Sequence, residues 1–304
     1  MPKVTTFSIV VGGRRCNACC PFCISRMTGF EEVAEKRSEI NIINFHKATR
    51  LAQLGGTTTV LLTGKGEPTL YPNEIDQYLA LLSPYGFPFI EVQTNGLEIG
   101  RLARGDAPQP NGLTVEKLRQ WHRAGLNTIA LSTVGAHNEI NSNIYHPDYP
   151  NLKRTVEFLH ELGFTVRMCV MMMKTAVEHI DQVMYTVNWC KARKVEQLTF
   201  RSIHKPENAT HNDRAAQYVD IHGLTTAEEK TILDQVVALG TPIMRLPFGA
   251  TVLDVNGQNV CVTNCLTMSP ETDEIRTLIF YSSGRLTYAW QYPGAILLGG
   301  NGED

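Results

Sequence analysis

Along the first two-thirds of the chain, short runs of β-branched and other apolar residues alternate with longer stretches whose apolar positions recur every three or four residues. The runs Thr6–Val11, Thr58–Leu62, Phe89–Gln93, Thr128–Ser132, Thr165–Met171 and Gln197–Ser202 predict strands. The stretches Phe45–Leu54, Glu74–Leu82, Val115–Ala124, Leu152–Leu162 and Ile180–Ala192 predict helices, several closed by a glycine (Gly55, Gly125, Gly163). Such alternation predicts parallel strands joined by right-handed helical crossovers. The expected fold is therefore α/β: a partial (βα)6 TIM-like barrel over residues 1–205, with its ligand-binding loops at the carboxyl ends of the strands. Past residue 205 the pattern changes. His204–Asp220 is polar and without period, so a long loop is expected, and Thr225 caps a helix that runs to Leu239. Val252–Val262, turning at Asn256-Gly257, and Leu278–Tyr288, turning at Ser283-Gly284, predict hairpins. Residues 206–304 are thus expected to form a helix and an antiparallel β extension over the barrel mouth. The tail Pro293–Asp304 holds too little apolar surface to fold alone.

Composition narrows the function classes. In 304 residues, 43% hydrophobic and 19% charged positions describe a globular chain. A formal net charge of -2 argues against nucleic-acid binding through global charge. No run of about eighteen apolar residues offers a membrane span, and Phe7–Gly13 is too short for an export signal, so a cytoplasmic protein with no membrane partner is expected. In a reducing compartment, eight cysteines are more often metal ligands or catalytic groups than disulfides.

Their placement carries the chemistry. Gly13 to Cys23 puts Cys16, Cys20 and Cys23 at spacings of four and three directly after the first strand, so one loop can aim three sulfurs at one point. Thiolates favour soft metals, and a loop around a cubic iron-sulfur cluster can hold three corners and leave the fourth iron for an outside ligand. The competing reading is a structural zinc site, which wants four protein ligands, commonly from two separated Cys-x-x-Cys pairs. The sequence offers only Cys261 and Cys265 late in the chain, at a looser spacing.

This segment resembles the radical S-adenosylmethionine (radical SAM) superfamily, whose hallmark is Cys-x3-Cys-x2-Cys with an aromatic residue before the third cysteine, here Phe22. The resemblance implies one [4Fe-4S] cluster on Cys16, Cys20 and Cys23, with Cys19 a bystander, and SAM as cofactor. It extends to Lys65-Gly66-Glu67-Pro68, similar to the family's Gly-Gly-Glu-Pro element that meets the methionine amino group, with Lys65 in place of the first glycine. It extends also to Thr94-Asn95-Gly96 and Ser132, where relatives set hydroxyl and amide groups against the ribose or carboxylate of the cofactor. Reductive cleavage of SAM would yield a 5′-deoxyadenosyl radical that abstracts hydrogen from a substrate, and the electron would come from a donor such as flavodoxin or ferredoxin.

Two arginines on predicted strands, Arg167 and Arg201, are expected to face the barrel interior, where an unpaired charge is costly. The resemblance implies the methionine carboxylate or an anionic substrate as their partner, and an ordinary structural ion pair is the other reading. Lys174, His204, Lys205 and Arg245 are candidates for the same rim, and Met171–Met173 reads as core filling. The expected substrate is a small anionic metabolite such as a nucleotide, sugar or amino-acid derivative; the alternatives are a peptide or protein substrate, or a non-catalytic iron-sulfur protein. Among subgroups, the layout is similar to the molybdopterin-precursor cyclases, with Gly299-Gly300 near the end. Their second cluster needs at least three further cysteines; Cys169 and Cys190 fall on a strand and a helix, which leaves Cys261 and Cys265, so a single cluster is expected.

Overall fold

The structure, a computed structural model, describes residues 2–30, 33, 39–207, 209, 213–246, 250–264 and 274–300. All six predicted strands are present: β1 (Lys3–Val10), β2 (Thr59–Thr63), β3 (Phe89–Thr94), β4 (Leu126–Thr133), β5 (Thr165–Met172) and β6 (Gln197–Ser202). They pair in chain order, all parallel. The helices are α1 (Ile24–Met27), α2 (Ile42–Leu54), α3 (Pro72–Leu82), α4 (Leu97–Ala103), α5 (Val115–Arg123), α6 (Asn138–Ile144), α7 (Leu152–Glu161), α8 (Ile180–Ala192), α9 (Arg214–His222) and α10 (Thr226–Leu239). Side-chain oxygens start several of them. Asn41, Thr114 and Asn151 accept from the backbone N–H three residues on, and Thr225 forms a reciprocal capping box with Glu228.

Strand alternation divides the side chains between two environments. Phe7, Ile9, Leu62, Val92, Ile129, Val166, Met168, Leu198 and Phe200 turn outward into one apolar core with Phe45, Tyr78, Trp121, Leu159 and Val187 of the helices. The intervening positions carry Ser8, Glu91, Ser132, Arg167 and Arg201, so the concave face is polar. Curvature shows in one contact: Arg167 on β5 reaches across β4 to Glu91 on β3 at 2.6 Å.

The C-terminal quarter supplies β7 (Thr241–Arg245), β8 (Thr251–Val255), β9 (Gln258–Asn264), β10 (Glu274–Phe280), β11 (Leu286–Thr287) and β12 (Ile296–Leu298). Both expected hairpins form. Asn256 (φ 54°) and Gly257 (φ 78°) give the left-handed pair that a tight β8–β9 turn demands, and β10 returns antiparallel into β11. One strand of each hairpin extends the parallel sheet: β9 beside β6, and β10 beside β1. The result is one twelve-stranded sheet in the order β12-β11-β10-β1-β2-β3-β4-β5-β6-β9-β8-β7.

The expected long loop His204–Asp220 instead ends in a helix, α9. Asp213 caps it by accepting from the Ala215 N–H, and it buries Ala215, Ala216 and Val219. Two alanines in a polar background give no periodic signal, which is why the sequence pattern missed it. Among the described residues no helix is long and apolar enough to cross a membrane.

Phe45 packs edge-on against Phe280 of β10 at 5.3 Å between ring centroids, and also meets Tyr78 and Phe7. Truncating this contact tests whether the C-terminal strands share the barrel's core. Phe280→Ala is expected to cost about 3–5 kcal/mol in denaturant unfolding through a single transition; an early separate transition would show that the C-terminal quarter melts on its own.

Candidate active site around the cysteine loop

The loop after β1 carries the four clustered cysteines. Cys23 is the N-cap of α1, and the Cys19 N–H donates to Tyr145 O at 2.8 Å. Cys16 and Cys19 are exposed, Cys20 and Cys23 half-buried. What separates Cys16 from Cys19 is its surroundings. The Ala18 N–H and Asn95 Nδ2 both donate to Cys16 Sγ, at 3.5 and 3.8 Å, whereas the Cys19 thiol receives no such bond among the described residues. Burial pushes the Cys16 and Cys20 thiols up, and the neighbouring thiols raise both further, Cys23 for each and the other member of the pair for Cys20. Cys16 and Cys20 so placed favour the protonated form unless a cation takes the charge, as metal binding does. Phe22 packs between Tyr145 (6.3 Å, edge-on) and Tyr218 of α9 (6.4 Å), giving the loop an aromatic backing.

The second element sits at the end of β2. Glu67 is 3% exposed and its carboxylate takes four hydrogen bonds. The donors are Thr69 N (3.0 Å), Thr69 Oγ1 (2.6 Å), Thr94 Oγ1 (2.5 Å) and Asn95 N (2.8 Å). Burial raises the Glu67 pKa while these donors pull it down. The carboxylate thus fastens the end of β2 to the end of β3. Gly66 fastens the same element to the cysteine loop: the Glu67 N–H donates to Arg15 O at 3.0 Å, and a Cβ on residue 66 would lie 2.2 Å from that oxygen. Only glycine allows this approach. Pro68 opens a short 3-10 turn into α3.

Lys65 directs its side chain to the segment after α1. Its ammonium, in a residue 7% exposed, donates to Thr28 Oγ1 (2.7 Å) and Gly29 O (3.0 Å) and lies 5.8 Å from the Trp290 ring centre. The lysine that departs from the glycine pattern therefore ties α1 to the β2 loop, and its backbone keeps its place. Thr94 and Asn95 both engage Glu67, and Gly96 takes φ 78° to start α4. Ser132 lies on the concave face, 3.4 Å from Gln93 Nε2.

The two arginines part company. Arg167 pairs with Glu91, so the carboxylate it needs comes from the chain itself. Arg201, at the end of β6, has no hydrogen-bond or ion-pair partner among the described residues, and its Nε is buried. Of the other rim candidates, Lys205 pairs with Asp220 at 2.5 Å, His204 Nε2 lies 3.0 Å from Glu229 without hydrogen-bond geometry, and Lys174 is in electrostatic reach of Glu228. Arg245 is on the exposed edge strand β7. Met172 and Met173 are buried, as core filling requires, and Met171 packs at the margin. Cys261 is buried on β9, within electrostatic reach of Arg201, Arg167 and Cys169; Cys265 lies outside the described residues. Sequence reasoning missed Asn17, Glu98, Thr28 and Trp290, whose roles arise only from tertiary contact.

Residues 10–190 match the family model described as the Radical SAM superfamily. The chain belongs to the radical SAM superfamily. Membership implies a [4Fe-4S] cluster and SAM. A search among curated proteins returns no match. Solved structures share the fold at low identity. SuiB from Streptococcus suis bound to S-adenosylmethionine is 14% identical, with a TM-score of 0.57 over 94% of this chain and 60% of its own. The anSMEcpe structure with bound AdoMet is 13% identical, with a TM-score of 0.59 over 95% and 76%. This radical SAM protein therefore spans about three-fifths of the length of SuiB. The donor set fits the implied cluster: three cysteines from one loop, with N–H groups donating to one of their sulfurs.

Gly66→Ala is expected to push the β2 loop off the cysteine loop. The variant should fold with its far-ultraviolet circular dichroism unchanged and lose most bound iron on anaerobic reconstitution; full iron loading would show that the close approach is dispensable.

Proposed function

We propose that this chain is a radical SAM enzyme acting on a small anionic metabolite, with one [4Fe-4S] cluster held by Cys16, Cys20 and Cys23. The observation that carries the substrate class is Arg201: a cation on the concave face, at the carboxyl end of a strand, with no partner of its own among the described residues. A buried guanidinium Nε without an acceptor is costly, and a phosphate or carboxylate at this half-buried side chain would satisfy it in bidentate fashion. A cluster held by Cys16, Cys20 and Cys23 would supply the one electron for reductive cleavage of SAM and, through it, hydrogen-atom abstraction from the substrate.

The chain's own residues do the rest. Phe22 and the strand-end segments Lys65-Gly66-Glu67-Pro68 and Thr94-Asn95 shape the place for SAM, with Glu67 acting through the loops it ties. Ser132 faces the same lumen, and the Glu91–Arg167 pair braces its wall. We place substrate selection in residues 206–304, residues 1–205 forming the catalytic barrel, and expect a flavodoxin or ferredoxin as electron donor in the cytoplasm. A peptide substrate is the rival reading. It draws support from fold neighbours solved with peptides, SuiB with its precursor peptide SuiA and anSMEcpe with the Kp18Cys peptide.

Two tests divide these readings. Anaerobic reconstitution is expected to give about four irons per chain and dithionite-driven release of 5′-deoxyadenosine from SAM. Cys20→Ala should abolish both and Cys19→Ala neither; a colourless zinc protein, or an inert Cys19→Ala variant, would contradict the assignment. Against a panel of phosphorylated and carboxylated metabolites, at least one should accelerate SAM cleavage in the wild type, and Arg201→Gln should weaken that response by roughly ten- to a hundredfold. Acceleration by peptides alone would favour the rival.

A further inference from the structure

Asn95 follows β3 and is 7% exposed, and almost every hydrogen-bonding position on its side chain is used within the protein. Its Oδ1 accepts from the Leu97 N–H at 2.9 Å, which fixes which way round the amide sits. Its Nδ2 donates to Asn17 Oδ1 at 2.8 Å and to Cys16 Sγ at 3.8 Å, so both amide hydrogens are engaged. The backbone N–H is taken by Glu67 Oε2 at 2.8 Å. Asn17 is held in turn by Glu98 Oε1 at 3.1 Å, and Glu98 lies 3.7 Å from Arg101. A line of polar contacts runs from Arg101 through Glu98, Asn17 and Asn95 to one sulfur of the cysteine loop. The turn into α4 needs only the Oδ1 contact; the second hydrogen, on sulfur, is left over from that explanation.

We propose that Asn95 is a positioning residue for Cys16, and that its amide N–H sets how readily the cluster accepts an electron. This rests on the reading above that Cys16 is a cluster ligand, and it gives Asn95 a duty other than contact with SAM. An N–H donated to a ligating sulfur stabilises the extra negative charge of the reduced state, so it makes reduction easier. The hydrogen bond also restricts the swing of the cysteine that stands first in the loop, with Asn17 inside the same loop as its brace.

The experiment compares the anaerobically reconstituted wild type with Asn95→Ser, which keeps an oxygen for the Leu97 N–H and removes the donor to sulfur. Three readouts are iron content, the midpoint potential by EPR-monitored titration without SAM, and SAM affinity of the oxidised protein. The expected result is unchanged iron and a midpoint shifted to more negative potential, whatever the change in SAM affinity. An unchanged midpoint overturns the proposal, as does lost SAM affinity at an unchanged midpoint, which would make Asn95 a cofactor contact. If Asn95→Ser does not assemble a cluster, Asn17→Ala removes the acceptor that orients the amide, together with the bond to Glu98, and leaves Asn95 in place; a smaller negative shift supports the proposal and none overturns it. A wild type without iron would instead sink the cluster assignment itself.

Discussion

The site depends on one buried carboxylate. Glu67 sits where three loops meet, and its two oxygens gather four donors from the turn that follows it and from the end of β3. A carboxylate in so apolar a place is tolerated only when its acceptor capacity is filled. Filling it fixes the distance between neighbouring strand ends. With Gly66 pressed against the Arg15 carbonyl, the same residues also fix the cysteine loop. Three segments thereby become one surface, a rigidity that the proposed delivery of an electron to a sulfonium at contact distance would require.

A second constraint is the division of side chains across the strands. Outward positions are apolar and bury the helices; many inward positions are polar or charged, interspersed with Val10, Leu61 and Met171. A barrel whose interior is packed with leucine and valine has no room for a ligand, whereas Ser8, Ser132, Thr199 and the Glu91–Arg167 pair leave a polar lumen. Arg201 stands out within it because it has no hydrogen-bond or ion-pair partner among the described residues and its Nε is buried. The aromatic backing of Phe22, Tyr145 and Tyr218 does the complementary task on the outer side, and it brings α9 into the structure of the cysteine loop. The region after β6 therefore does more than extend the sheet.

Much of this was legible in the sequence. The six strands announced themselves because parallel strands with helices outside need β-branched, apolar residues at regular intervals, and Thr58–Leu62 or Thr165–Met171 admit few other readings. The cysteine loop and Gly66-Glu67-Pro68 were legible because their chemistry restricts residue type at fixed spacing. Helix α9 was not, since its buried face is two alanines and a valine. Nor was the parallel docking of β9 and β10, which depends on pairing across long stretches of chain. The partners of Lys65, Arg167 and Asn95 were hidden for the same reason. Lys65 appears in sequence as a fault in a glycine motif, and in the structure it is a tether to Thr28 and Gly29.

The central claim is that three thiolates of one loop leave one iron open to SAM. Pulsed ENDOR on the reduced, reconstituted protein with SAM labelled with nitrogen-15 at its amino group addresses that directly. The account predicts a strong nitrogen-15 coupling to the cluster, showing the amino group bound to the open iron. A cluster whose spectrum is the same with and without labelled SAM would mean that a fourth protein ligand closes the site, and would contradict it.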